Sequence, residues 1–215
     1  MKELFIKFIQ CIIFSIAFAF IETSVVIYLR TIYYPDGFSF PLHDISNFHY
    51  TIELIREFST IILLFIIALI LGKNILEKNL YFLFLFGLWD IFYYLFLKLT
   101  LNWPTSLLTW DILFLIPITW ASPVLVPIII AITMVFISGY THYLLSKKIK
   151  IKISYLDLAI LLIALFILFI SFILPFSYIS KRIIPEIYHW ELLIIGELLI
   201  LFIFIKSIIK IFKNK

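Results

Sequence analysis

Five carboxylates interrupt long apolar runs in this chain: Glu22, Glu57, Asp90, Asp111 and Glu197. An ionised carboxylate at membrane depth costs roughly 2.5–3.5 kcal/mol on insertion scales, so it persists only when it is paired, protonated or hydrated. Carboxylates in that setting can load and release protons, bind cations, or ligate a hard metal through oxygen. Arg30, Arg56 and Lys98 lie near them in sequence, and Tyr94 follows Asp90 by one helical turn.

The elements that carry these residues are set by composition. The chain has 215 residues, of which 64% are hydrophobic and 14% charged, with a mean hydropathy of +1.16. A water-soluble fold has roughly 45–50% apolar and about 25% charged residues. The composition therefore excludes a cytoplasmic enzyme, a nucleic-acid binder and a disordered regulator, and makes the lipid bilayer the chain's solvent. The net charge of +4 sits in short loops and at the termini, where it orients helices. Cys11 is the single cysteine, so neither a disulfide framework nor a cysteine metal cluster is available.

Apolar stretches long enough to cross about 30 Å of hydrocarbon occur at 4–29, 54–72, 80–99, 107–142, 155–174 and 190–209. The expected fold is an all-α polytopic bundle of six transmembrane helices in one domain, 1–215. The fourth run is too long for one straight span and contains Pro117, Pro123 and Pro127, which predicts a helix broken by prolines at a cavity. Lys2 and Lys7 before an apolar run resemble a signal peptide, but the run continues to Leu29, which suits an uncleaved anchor. With six spans, twelve of the 17 lysines and arginines fall on one side, at Lys2 and Lys7, Lys73 and Lys78, Lys147 to Lys152 and Lys206 to Lys215. The positive-inside rule then places both termini in the cytoplasm of a plasma-membrane protein, with 30–53, 100–106 and 175–189 outside. Pro35-Asp36-Gly37 and Pro41 mark turns in the outer segment 30–53, which is read as an ordered cap.

On that topology the carboxylates lie about seven, three, nine, four and seven residues inside the outer ends of their helices, all in the outer half of the bilayer. Helical spacing groups Lys7, Cys11, Ser15 and Glu22 on one face, Glu53, Arg56, Glu57 and Thr60 on another, and Gly87, Asp90, Tyr94 and Lys98 on a third. Such stripes face one another rather than lipid. The reading is an outward-opening polar cavity built from Glu22, Arg30, Arg56, Glu57, Asp90, Tyr94 and Asp111. The fifth span is apolar from Leu158 to Ile170 and belongs at the periphery, with Ser154 and Asp157 forming a capping box at its start.

Three function classes follow. The first is proton- or ion-linked handling of a small solute or cation, with Asp90 and Glu22 as carriers. The second is a membrane-embedded metal-dependent enzyme or redox protein with Glu22, Glu57, Asp90 and Asp111 as oxygen ligands and His43, His49 or His189 approaching from the loops. The third is a structural subunit whose ion pairs lock the bundle, with Trp89, Tyr93, Tyr94, Trp103 and Trp110 as anchors at the headgroup level. No histidine lies in mid-span to hold haem, and no nucleophile elbow, phosphate loop or zinc helix motif occurs. The cofactor, the oligomeric state and the question of catalysis stay open.

Arg56-Glu57 before an apolar span, Phe86-Gly87-Leu88-Trp89-Asp90-Ile91-Phe92-Tyr93-Tyr94, Trp103-Pro104, and Trp110-Asp111-Ile112-Leu113-Phe114-Leu115-Ile116-Pro117 with Trp120 and Pro123-Val124 form a long signature. Over about the first 130 residues it resembles a group of uncharacterised prokaryotic integral membrane proteins. The resemblance implies kinship and no activity.

Overall fold

A computed structural model describes residues 2–35, 46–151, 153–181 and 183–213. Its elements in chain order are α1 (Lys2–Tyr33), α2 (Asn47–Leu71), α3 (Ile75–Leu101), β1 (Trp110–Phe114), β2 (Trp120–Pro123), α4 (Leu125–Ser146), α5 (Tyr155–Ile173), the single turn α6 (Phe176–Ile179) and α7 (Trp190–Lys213). Among the described residues six helices are long and apolar enough to cross a membrane, so the chain is an all-α, six-span integral membrane protein. Large apolar side chains such as Ile13, Phe58, Ile70 and Phe166 face outward along these helices, as lipid contact requires.

Local sequence sets the helix starts. The Ser46 hydroxyl accepts the His49 N–H at the start of α2, and the Asn74 side chain accepts the Glu77 N–H at the start of α3. The expected capping box of Ser154 and Asp157 is present on α5. Asp157 also accepts a hydrogen bond from Lys206 Nζ at 2.5 Å, tying α5 to α7. At this same end of the bundle Lys7 donates to the Leu71 carbonyl at 2.9 Å and Lys73 approaches Glu3 at 3.6 Å.

α3 is the central helix. It packs against α1, α2 and α4, whereas α5 packs mainly against α7 and touches β2, which agrees with a peripheral fifth span. The α3–α4 crossing is close because Gly87 has no side chain. A Cβ there would lie 2.7 Å from the Ala131 carbonyl oxygen and 2.9 Å from Val135 Cγ2. Gly87→Ala is therefore expected to push the helices apart and cost about 1–3 kcal/mol. Gly139→Ala is the control, since its new methyl would meet Phe84 at an ordinary 3.6 Å. Thermal unfolding in detergent checks the contrast, and equal midpoints for the two variants would contradict the close approach.

The fourth span departs from the expected broken helix. Residues 110–123 form an antiparallel β-hairpin, pairing Trp110 with Pro123, Asp111 with Ser122, Ile112 with Ala121 and Phe114 with Trp120, with a bulge between Ile112 and Phe114. Pro117 falls in the hairpin connection and Pro123 ends β2, positions that need no helical N–H donor. Pro127 lies in the first turn of α4, where its missing donor breaks no bond, and α4 then runs on to Ser146. The prolines thus end a strand and begin a helix instead of breaking one. The hairpin meets its own backbone needs through strand pairing, and Val124 and Leu125 donate to the Thr109 and Leu107 carbonyls.

The expected outer segment 30–53 is shorter than its sequence bounds. α1 continues to Tyr33 and α2 starts at Asn47, and Tyr33 Oη is hydrogen-bonded to His49 Nδ1. The turn at Asp36-Gly37, Pro41 and His43 lie outside the described residues.

Candidate functional site

The last turns of α1, the first turns of α2, the later half of α3 and the hairpin meet at the end of the bundle away from Lys73 and Lys147. Two polar anchors fix them there. In the first, Arg56 of α2 reaches the Glu22 carboxylate of α1 and also holds Glu53, its Nε donating to Glu53 Oε2 at 2.9 Å. Glu22 is 4% exposed, so this ion pair is largely out of solvent reach within the bundle. In the second, Asp111 of β1 accepts from Arg30 Nη2 at 3.4 Å and from Tyr94 Oη at 3.1 Å. The Arg30 guanidinium lies 3.8 Å from the Trp103 ring centroid, a cation–π contact that spreads its charge.

A third contact docks the hairpin to α2. The Leu115 backbone N–H donates to Glu57 Oε2 at 2.8 Å. Leu115 follows the last residue of β1, so its N–H is one that the strand ladder leaves without a partner, and a carboxylate meets the need.

These anchors surround a cavity of about 170 Å³. Glu22, Arg56, Glu57, Asp90 and Tyr94 line it, whereas Arg30 and Asp111 form the ion pair just behind Tyr94. Of the seven residues expected at the site, five are brought to one cavity and two brace it. Asp90 differs from the other carboxylates. Glu22 has Arg56, Glu57 has the Leu115 amide and Asp111 has Arg30 and Tyr94, but Asp90 has no hydrogen-bond or ion-pair partner among the described residues. It lies at the cavity wall, partly buried, one turn before Tyr94 on α3.

The rest of the wall is aromatic. Phe86, Trp89, Tyr93, Phe114, Trp120 and Phe172 form a linked set, with Trp89 to Tyr93 at 6.0 Å, Phe114 to Trp120 at 5.9 Å and Trp120 to Phe172 at 5.7 Å between ring centroids. Trp89 is 6% exposed and its indole N–H is buried with no acceptor among the described residues. Reading Trp89, Tyr93 and Tyr94 as headgroup anchors is thus corrected: they face the cavity. Trp103 lies under Arg30, and Trp110 packs on Tyr188 at 6.1 Å. The i, i+3, i+4, i+7, i+8 spacing of Phe86, Trp89, Asp90, Tyr93 and Tyr94 already puts the rings beside the carboxylate in sequence. Phe172 lay on an apolar span with no signal of its role.

The four-carboxylate ligand set does not form. Among the described residues no three His, Cys, Asp or Glu side chains gather where they could hold a metal ion. The reason is visible in the anchors, which draw Glu22, Glu57 and Asp111 to separate partners. His49 is bonded to Tyr33, and His189 meets Glu191 at 2.7 Å on the surface. Glu197 is also apart from the cavity, on α7, where its Oε2 accepts from Thr133 Oγ1 of α4 at 2.7 Å. Lys98 is exposed and donates to the Pro104 carbonyl at 3.0 Å.

Compared with models of known protein families, with curated proteins and with solved structures, the chain has no match.

Proposed function

We propose that this protein handles a small solute in a proton- or ion-linked manner, with the cavity between α1, α2, α3 and the hairpin as the binding site. The observation that carries the reading is Asp90: a carboxylate at the wall of a cavity, with no partner among the described residues, where every neighbouring carboxylate has one. Leaving such a group unsatisfied is costly unless a proton, an ion or a solute meets it in part of the cycle. The charged and titratable groups around it are Glu22 of α1, Arg56 and Glu57 of α2, Tyr93 and Tyr94 of α3 and Asp111 of β1.

The lysine distribution supports a topology with both termini in the cytoplasm of the cell membrane and the cavity in the outer half of the bilayer. Kinship with the prokaryotic membrane family that the two Trp-Asp segments resemble is part of the same proposal and adds no activity. Glu22, Arg30, Arg56 and Asp111 are assigned to holding the site in shape, which is what their mutual pairing supports.

Asp90→Asn keeps the shape of the side chain and removes its charge and proton. In liposomes loaded with a pH-sensitive dye, it is expected to lower proton-linked flux at least about tenfold while leaving the unfolding midpoint near that of the wild type. Flux that keeps its pH dependence in a folded Asp90→Asn protein would overturn the proposal.

A further inference from the structure

The cavity wall narrows the chemistry of what it takes. We infer that the solute is a small organic monocation, an alkylated ammonium held between the Asp90 carboxylate and the ring faces of the aromatic wall. The inference rests on the preceding reading that the cavity binds a solute.

Charge comes first. Three carboxylates line the cavity, Glu22, Glu57 and Asp90, against one cation, Arg56, and that cation is already engaged by Glu22 and by Glu53. Among the described residues no lysine lines the cavity. An anion would meet surplus negative charge, whereas a cation meets Asp90, which of these three lacks a partner among the described residues.

The rings decide between an inorganic and an organic cation. A hard metal ion wants six or more oxygen ligands, and a primary ammonium wants three acceptors. The wall instead offers the faces and edges of Phe86, Trp89, Tyr93, Phe114 and Trp120. Aromatic faces attract a cation whose charge is spread over methyl groups, and such a cation requires no hydrogen-bond acceptors. Trp89 and Tyr93 flank Asp90 on α3 and line the same cavity, which puts aromatic surface beside the carboxylate.

Size follows from the volume. A cavity of about 150 Å³ is known to hold a benzene-sized molecule. The 170 Å³ here therefore suits a solute of about six to eight non-hydrogen atoms, the size of an amino alcohol carrying a methylated nitrogen.

The inference also links solute to proton. The Asp90 carboxylate can hold a proton or pair with an ammonium, and occupancy by one excludes the other, so each cation that arrives releases a proton and each proton that binds releases a cation. That is an exchange in which charge balances at the site without a third species.

Choline and its uncharged isostere 3,3-dimethylbutan-1-ol have matched shape and differ in charge, which makes them the probes. Binding of radiolabelled choline to detergent-purified full-length protein is measured by equilibrium dialysis, with the alcohol as competitor, for wild type, Asp90→Asn and Trp89→Leu. Saturable choline binding is expected, with affinity at least about tenfold weaker in both variants, and the alcohol is expected to compete at least about tenfold less well than unlabelled choline. The wild-type comparison stands even if a variant fails to fold. Equal competition by the alcohol overturns the charge requirement, and so does unaltered choline binding in a folded Asp90→Asn. Absence of saturable choline binding below about 10 mM, with the flux defect of Asp90→Asn intact, overturns the ammonium assignment and leaves proton-linked handling standing. Saturable choline binding together with pH-independent flux does the reverse.

Discussion

Replacing Arg56 by leucine is expected to cost about 3–5 kcal/mol of unfolding free energy. The guanidinium is the common partner of Glu22 on α1 and Glu53 on α2, and both carboxylates are more than nine-tenths buried. Removing it leaves two acids inside the bundle with the energy of desolvation and no compensating charge. They must then take up protons or open the α1–α2 contact to water. Lysine at the same position keeps the charge but not the fork that reaches two carboxylates at once, so Arg56→Lys is expected to fall between leucine and wild type.

The pairing also predicts its own rescue. If the cost comes from stranded carboxylates, then adding Glu22→Gln and Glu53→Gln to Arg56→Leu should recover most of the loss, because neutral amides tolerate burial far better than unpaired charges. Thermal unfolding in a mild detergent across the series measures this, with a fall of roughly 10 °C expected for the single variant. A single variant within about 1 kcal/mol of wild type, or a triple variant no better than the single, would show that the contact is not a buried ion pair at all.

How the site was legible in the sequence follows from the same contacts. Of the three stripes set by period, Cys11, Ser15 and Glu22, Glu53, Glu57 and Thr60, and Gly87 and Tyr94 are buried, Lys7, Arg56 and Asp90 are half-buried, and Lys98 is exposed. A charged residue in an apolar run has so few places to go that its direction is nearly forced. What spacing could not reveal was pairing. Whether Arg56 would turn to Glu22 or to Asp90 depends on the relative rotation of α1, α2 and α3, and that rotation is set by packing such as Gly87 against Ala131.

The hairpin was missed because the apolar run from 107 to 142 satisfies a membrane-span window whatever its backbone does. The residues themselves carried the other reading. Trp110, Ile112 and Phe114 are strand formers in alternation, and three prolines in eleven residues favour a chain that turns over one that only kinks. A strand pair at membrane depth looks prohibitive until its carbonyls and amides are counted. The ladder pairs the two strands, the Thr109 and Leu107 carbonyls take the Val124 and Leu125 amides, and the Glu57 carboxylate takes that of Leu115, so these backbone groups are met within the protein, as a bilayer would require.

Asp111→Leu is expected to be the second large loss, again about 3–5 kcal/mol, and to act on the hairpin more than on the helices. Asp111 is 3% exposed and is the contact by which β1 holds both Arg30 of α1 and Tyr94 of α3. Leucine keeps the branched outline of aspartate but is larger, so the change leaves no cavity and adds some crowding, and comparison with the isosteric Asp111→Asn separates the two effects. It takes from Arg30 its Asp111 carboxylate and from the buried Tyr94 hydroxyl its acceptor. Asn at this position keeps an acceptor for Tyr94 and loses only the charge, so Asp111→Asn is expected to cost less, about 1–3 kcal/mol.

The two hairpin anchors hold different cavity-lining residues, Asp111 binding Tyr94 of α3 and Leu115 binding Glu57 of α2, so loosening either one loosens part of the cavity wall. Solute affinity is therefore expected to fall with stability in Asp111→Leu, although Asp111 does not line the cavity. Leu107 and Leu108, exposed just before β1, offer a local readout, because chymotrypsin cuts after leucine only where the chain can leave its turn. Faster cleavage there than in wild type, at a temperature where the helices remain folded, would show the hairpin undocking by itself. Cleavage that tracks global unfolding would instead make Asp111 a brace of the whole bundle and detach it from the site.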